Sequence, residues 1–159
     1  MRQVKDGRTS ASYTVRSKGA PCPGSAASIM STPQPSPIYV VDDDPAVLHS
    51  LCFLLEGEGH RVEAFDSGAC VLAAFPGPEP HCIVVDYVMP AMDGIEVFRR
   101  LRALGVRAPV VLMTGDPGAT VRRWAGEIGL PMIEKPLAYE PLLAMLAAGS
   151  IVPGPETSP

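Results

Sequence analysis

Between Ile38 and Ala148 the chain alternates short β-prone apolar runs with segments whose apolar residues recur at helical spacing, and this alternation constrains the fold more than any other feature. The runs are Ile38 to Val41, Arg61 to Phe65, Cys82 to Val85, Pro109 to Met113 and Pro131 to Glu134. After the first, Asp42-Asp43-Asp44-Pro45 offers an N-cap and an early helical proline ahead of Val47, Leu48, Leu51, Leu54 and Leu55. A second helix is expected from a cap at Asp66 or Ser67 up to Phe75, and a third through Ile95, Phe98, Leu101 and Leu104, ended by Gly105. A fourth is expected from Ala119 to Ile128 and a fifth from Tyr139 to Ala148. Five strands alternating with five helices at this pitch imply parallel pairing through crossovers: an α/β, doubly wound, five-stranded parallel sheet in the order 2-1-3-4-5.

The flanks read differently. Residues 1–37 are rich in Ser, Gly, Ala and Pro, show no periodicity, and bury too little to offset ordering entropy; they are expected to form a disordered, basic, Pro-rich extension. Residues 149–159 are expected to form a flexible Pro-rich tail by the same reasoning. Met30 stands just before the first strand and is a candidate translation start, a point that intact-mass analysis decides. The extension holds five basic residues and one acid, a net +4, and the remainder holds eight basic against sixteen acidic residues, a net −8. An acidic body argues against direct DNA binding, and Arg99, Arg100 and Arg102 read as a solvated helix face. No apolar run approaches the roughly 18 residues of a membrane span, and no apolar segment near Met1 directs export. Cys22, Cys52, Cys70 and Cys82 lack paired spacing and read as thiols of a reducing, cytoplasmic compartment. His49, His60 and His81 have no spacing that suits a metal or a triad.

In an open parallel sheet, ligands bind beyond the carboxyl ends of the strands, so polar residues are best read by strand end. The first run ends in Asp42, Asp43 and Asp44, the third in Asp86, the fourth in Thr114, and the fifth in Lys135-Pro136. With the first and third strands adjacent, Asp42, Asp43 and Asp86 converge. Clustered carboxylates repel unless a cation or a shared proton offsets their charge, and hard oxygen ligands of this kind suit Mg2+. Thr114 adds a hydroxyl and Lys135 a point positive charge. Together they describe a site where a metal and an ammonium neutralise a phosphoryl group while one carboxylate attacks phosphorus. Spacing alone leaves open which carboxylate attacks.

Four segments carry a resemblance. They are Ile38-Tyr39-Val40-Val41-Asp42-Asp43-Asp44-Pro45, Val85-Asp86-Tyr87-Val88-Met89-Pro90-Ala91-Met92-Asp93-Gly94, Val111-Leu112-Met113-Thr114-Gly115 and Ile133-Glu134-Lys135-Pro136. In order and each at a strand end, they resemble the signature segments of the response-regulator receiver domain of two-component signalling, in the flavour of nitrogen-fixation and nodulation regulators, over residues 38–148. The resemblance implies a flavodoxin-like receiver fold with Asp86 as phosphoacceptor. It implies Mg2+ held by Asp43 directly, Asp42 through water, Asp86, and the backbone carbonyl of Val88. Thr114 would hydrogen-bond the phosphoryl group, Lys135 would pair with it, and the Lys135–Pro136 bond would be cis.

The resemblance further implies a phosphorylation switch, not an enzyme acting on metabolites, and because only about eleven residues follow the receiver, too few for an output domain, a stand-alone regulator is expected. Its phosphoryl donor would be a sensor histidine kinase or a phosphotransfer protein, docking near the first helix at Val47, Leu48 and Leu51. A downstream protein or a second copy would meet the face of the fourth helix, fifth strand and fifth helix, where Arg122, Arg123, Trp124 and Tyr139 are the candidates. Two departures from the pattern stand out. Met132 occupies the position where the family usually has an aromatic switch residue, and Val88 offers no polar group to position an attacking water, so slow self-dephosphorylation is expected. Two competing readings are a haloacid dehalogenase-type phosphohydrolase, which Asp42-x-Asp44 with Thr114 and Lys135 mimics, and a receiver-like docking module that works without phosphorylation.

Overall fold

In the computed structural model, which describes residues 14–17, 35–115, 118–135 and 139–147, each of the five apolar runs is a strand. The elements in chain order are β1 (Thr14–Arg16), β2 (Ile38–Val41), α1 (Pro45–Gly57), β3 (Val62–Phe65), α2 (Gly68–Leu72), β4 (Cys82–Asp86), α3 (Gly94–Ala103), β5 (Val110–Thr114), α4 (Ala119–Glu127), β6 (Met132–Glu134) and α5 (Tyr139–Ala147). All strand pairings are parallel and the sheet order is β1-β3-β2-β4-β5-β6. The five expected strands keep the expected order, so the doubly wound α/β fold stands.

Both faces of the sheet are covered, which explains why the strands read as continuous apolar runs rather than alternating ones. Alternate strand residues nonetheless go to opposite sides. Ile38, Val40, Ala64, Cys82, Val84, Val111 and Met113 pack with Leu48, Leu51, Cys52 and Leu55 of α1 and Leu142 and Leu146 of α5. Tyr39, Val41, Phe65, Ile83, Val85, Val110 and Leu112 pack with Val71 of α2, Val97 and Leu101 of α3, and Val121 and Ala125 of α4. Leu51, Leu55 and Leu142 are fully buried, and each such side chain contributes about 2 kcal/mol. Leu48 and Leu51 therefore belong to the sheet-facing stripe of α1, which corrects their assignment to kinase docking: the apolar stripe that makes the helix also commits it to the core. The side of α1 that remains outward carries His49, Ser50 and Phe53, the last 58% exposed.

Local chemistry sets the helix ends. Asp44 caps α1, its Oδ1 accepting the Ala46 N–H at 2.8 Å with Pro45 in the first turn. Asp93 caps α3 through the Glu96 N–H at 2.8 Å, and Gly105 takes a positive φ of 80° just past its end. α2 is shorter than its apolar spacing predicts, ending at Leu72, because Phe75 precedes Pro76 and a residue before proline is disfavoured in the helical region.

The sheet has six strands among the described residues instead of five. Thr14–Arg16, expected within an unstructured extension, pair in parallel with Glu63, Ala64 and Phe65. Three residues carry no readable periodicity, and what holds them is backbone bonding to the outer edge of β3, including the Asp66 N–H to the Arg16 carbonyl at 3.3 Å. The other expectations for residues 1–13 and 18–34, for the tail and for the Lys135–Pro136 bond lie outside the described residues. Among the described residues no helix is long and apolar enough to cross a membrane.

Candidate functional site

The chain after β2 runs to α1 on one face of the sheet and the chain after β4 runs to α3 on the other. Their diverging connections open a crevice at the carboxyl ends of these neighbouring strands, the switch point where open α/β sheets bind ligands. Asp42 follows β2 directly. Its N–H donates to the Phe65 carbonyl at 3.1 Å and its Oδ1 accepts the Asp44 N–H at 2.9 Å, so the backbone turns sharply into the α1 cap. The acidic run thus divides its work: Asp44 caps a helix, Asp42 is fully buried, and Asp43 is exposed.

Asp86 is the last residue of β4 and is buried. The loop after it returns tightly, with the Gly94 N–H donating to the Tyr87 carbonyl at 3.0 Å and Ala91 at a positive φ of 68°. A Cβ on Gly94 would stand 2.6 Å from the Asp86 carbonyl oxygen and 2.7 Å from Leu112 Cδ1. The sequence shows Asp93-Gly94 as turn chemistry; the close approach of α3 to the end of β4 is the reason a side chain does not fit, and only packing reveals it.

Carboxylate oxygens of Asp42, Asp43 and Asp86 lie within 4.8 Å of one another. Lys135, just beyond β6, places Nζ 2.8 Å from Asp42 Oδ2 and 3.1 Å from Asp86 Oδ1. Its backbone N–H donates to the Thr114 carbonyl at 2.7 Å, tying the ends of β5 and β6 together. Thr114 is buried at the end of β5, and among the described residues its Oγ1 has no hydrogen-bond partner. A buried hydroxyl without a partner is costly to keep, and it marks a place where an acceptor would be welcome.

The electrostatics follow from burial and these neighbours. Burial raises the Asp86 carboxyl above its ordinary value and the charge of Asp42 adds to this, while the hydrogen bond and charge of Lys135, and the Val88 N–H, oppose it. Burial by itself would lower the Lys135 ammonium, but hydrogen bonds and charges from Asp42 and Asp86 outweigh it and raise the group overall. Three carboxylates against one ammonium leave a net −2 when all are ionised, and only oxygen donors are present. That donor set fits one hard divalent cation such as Mg2+. A cleft of about 560 Å3 lies away from this site, between Arg16, Tyr39, Glu63 and Pro76.

The structure brings together Asp42, Asp43, Asp86, Thr114 and Lys135, and it sorts the other candidates. The Val88 side chain is 66% exposed. Met132 is half-buried against the core under α4. Arg122 pairs at 2.7 Å with Glu134 of β6, and Arg123 stays exposed near Glu127. Trp124 turns to α3, edge-on to Phe98 at 6.1 Å with the Arg99 guanidinium 5.4 Å from its ring centre. Tyr139 packs toward α1, lining a groove with His49, Ser50, Phe53 and Leu54.

Comparison with known proteins bears on this arrangement. The sequence profile of the response regulator receiver domain matches residues 38–147. The chain is 39% identical over 110 residues to the transcriptional regulatory protein FixJ of Bradyrhizobium diazoefficiens, covering 69% of this chain and 54% of that protein. It is 36% identical over 115 residues to the response regulator MprA of Mycobacterium sp. strain KMS, covering 72% and 50%. The chain thus spans about half the length of the curated relatives it matches. Among solved structures, FixJ-N superposes with a TM-score of 0.66 at 30% identity, covering 74% of this chain and 94% of that one. A CheY-like receiver domain protein of Methanospirillum hungatei superposes with a TM-score of 0.67 at 26% identity, covering 73% and 94%.

Proposed function

Because this chain belongs to the response regulator receiver domain family, we propose that it is a phosphorylation-dependent signalling switch whose phosphoacceptor is Asp86. The observation that carries the reading is the Lys135 ammonium held between the Asp42 and Asp86 carboxylates, 2.8 and 3.1 Å away. The donor is a phosphohistidine on a sensor histidine kinase or phosphotransfer protein. An Asp86 carboxylate oxygen attacks phosphorus in line, forming the P–O bond of an aspartyl phosphate as the P–N bond to histidine breaks. Asp42, Asp43, Asp86 and the Val88 carbonyl would hold Mg2+, which supplies neutralisation of charge on the phosphoryl oxygens. Lys135 gives up part of its bond to Asp86 to pair with the incoming group, and the Thr114 hydroxyl gains the acceptor it lacks.

Movement of Thr114 toward that acceptor draws on β5, and Met132 on β6, packed beneath α4, repacks in response. The flank of α4, β6 and α5 is the output surface, with Arg122 and Arg123 outward and Trp124 and Tyr139 holding its margins against α3 and α1. The partner there is a downstream protein or a second copy, reached in a bacterial cytoplasm.

Intact-protein mass after incubation with Mg2+ and acetyl phosphate tests the reading. One phosphoryl adduct on the wild type and none on Asp86→Asn is the expected result. Steady release of inorganic phosphate that depends on Asp42, with no adduct, would make the protein a phosphohydrolase instead. No reaction would leave it a docking module.

A further inference from the structure

The family profile begins at residue 38, so β1 lies wholly outside the matched region and needs its own account. Without it, β3 would be an open edge strand, and open edges accept other chains. Two features make this edge selective. The first is the direction of the backbone groups. In an extended strand the N–H and C=O of one residue leave on the same side, and the Arg16 carbonyl accepts the Asp66 N–H, so the Arg16 N–H faces β3 as well. The second is charge. Glu63 Oε2 is buried, and the Arg16 guanidinium stands 3.0 Å from it in an ion pair. The same guanidinium lies 5.9 Å from the centre of the Phe65 ring.

We propose that the outer edge of β3 is a strand-addition site for an extended peptide carrying arginine opposite Phe65 and within ion-pair reach of Glu63, and that Thr14–Arg16 is its occupant in cis. Main-chain bonds along the edge supply the attraction, and the Glu63 carboxylate with the Phe65 ring selects the cation. A tethered occupant acts at an effective concentration on the order of millimolar, so a partner strand of this chemistry engages only when it outcompetes the chain's own segment. The edge lies on the far side of the sheet from the flank of α4 and β6, so the two surfaces are separate.

The test uses the full chain. Arg16→Pro removes the N–H directed at β3 and the guanidinium together, and should vacate the edge while the other five strands stay paired. Two-dimensional amide NMR then follows titration with a peptide of residues 11–19. In the wild type without peptide, the Asp66 amide is expected to be protected from hydrogen exchange, and in Arg16→Pro to exchange freely. Saturable shifts at residues 63–66 are expected in Arg16→Pro and not in the wild type at the same peptide concentration. Glu63→Gln in that background, or Arg16→Ala in the peptide, should weaken binding by about tenfold, the size of one charge-assisted contact. A freely exchanging Asp66 amide in the wild type overturns the proposal, and so do unchanged binding after either charge removal and shifts confined to β6. If Arg16→Pro fails to fold, deletion of Thr14–Arg16 from the full chain provides the vacated edge, and the wild-type exchange result stands regardless. None of these readouts depends on phosphorylation of Asp86.

Discussion

Lys135 and Asp42 are separated by 93 positions in the sequence, yet the ammonium donates to the carboxylate at 2.8 Å, and the carboxylate is fully buried. The pair exists because β2 and β6 run in the same direction and end at the same edge of the sheet. It also offsets part of the repulsion between the Asp42 and Asp86 carboxylates, which the same ammonium bridges.

Removing that ammonium leaves the carboxylates facing each other with nothing between. Lys135→Met should lose about 3 kcal/mol of stability in the presence of a chelator, the range for breaking one side of a buried pair. Mg2+ should restore more stability to this variant than to the wild type, since the cation then meets a larger unbalanced charge. Urea denaturation with and without Mg2+ checks both; equal midpoints for the two proteins in chelator would refute the account.

Gly94→Ala should destabilise by about 2 kcal/mol through overpacking, because the new methyl meets the Asp86 carbonyl and Leu112 below 3 Å. Gly126→Ala on α4, where nothing lies within 4 Å of an added Cβ, should be neutral or stabilising. Thermal unfolding of the two variants side by side decides it.

Val88 is largely exposed, so Val88→Asn should leave folding unchanged. If Asp86 is the phosphoacceptor, as proposed, an amide at this position can orient a water toward its phosphoryl group, and the lifetime of the phosphorylated protein should shorten. Following decay of the adduct by mass gives the answer, and a wild-type lifetime of only seconds would contradict the expectation of slow hydrolysis.

Burial pushes the Cys52 thiol up to about 12, with the Glu56 charge adding to it, and burial pushes Cys82 up to about 12 despite a backbone hydrogen bond from Ile83. In the unfolded chain both ionise near 9.0, so that state loses its protons first. Below pH 9 these groups leave stability unchanged, and as pH rises from there toward 12 they favour unfolding. Alkylation at pH 8 followed by peptide mapping should label Cys52 and Cys82 only in denaturant. Rapid labelling of either in the native protein would show that the site is not sealed.

Much of the fold and of the site is legible in the residues alone. Strands and helices announce themselves through local spacing, and Asp42, Asp86, Thr114 and Lys135 group together because each closes or directly follows an apolar run. Helix rotation is less legible. The family pattern makes Trp124 and Tyr139 candidates for the output face; their side chains meet Phe98 and the groove of α1, since which way a residue points depends on how its helix seats against the sheet. Leu48 and Leu51 suit a docking partner by sequence and are core for the same reason.

From the sequence alone come the order of the elements, the parallel sheet and the set of polar groups at its carboxyl edge, all consequences of short-range periodicity. Tertiary structure decided the rest: the Lys135 bridge, the unpartnered Thr114 hydroxyl, the tight seat of Gly94 and the added strand at Thr14–Arg16. Each of these depends on how separate segments of the chain meet in space, and residue spacing does not encode that.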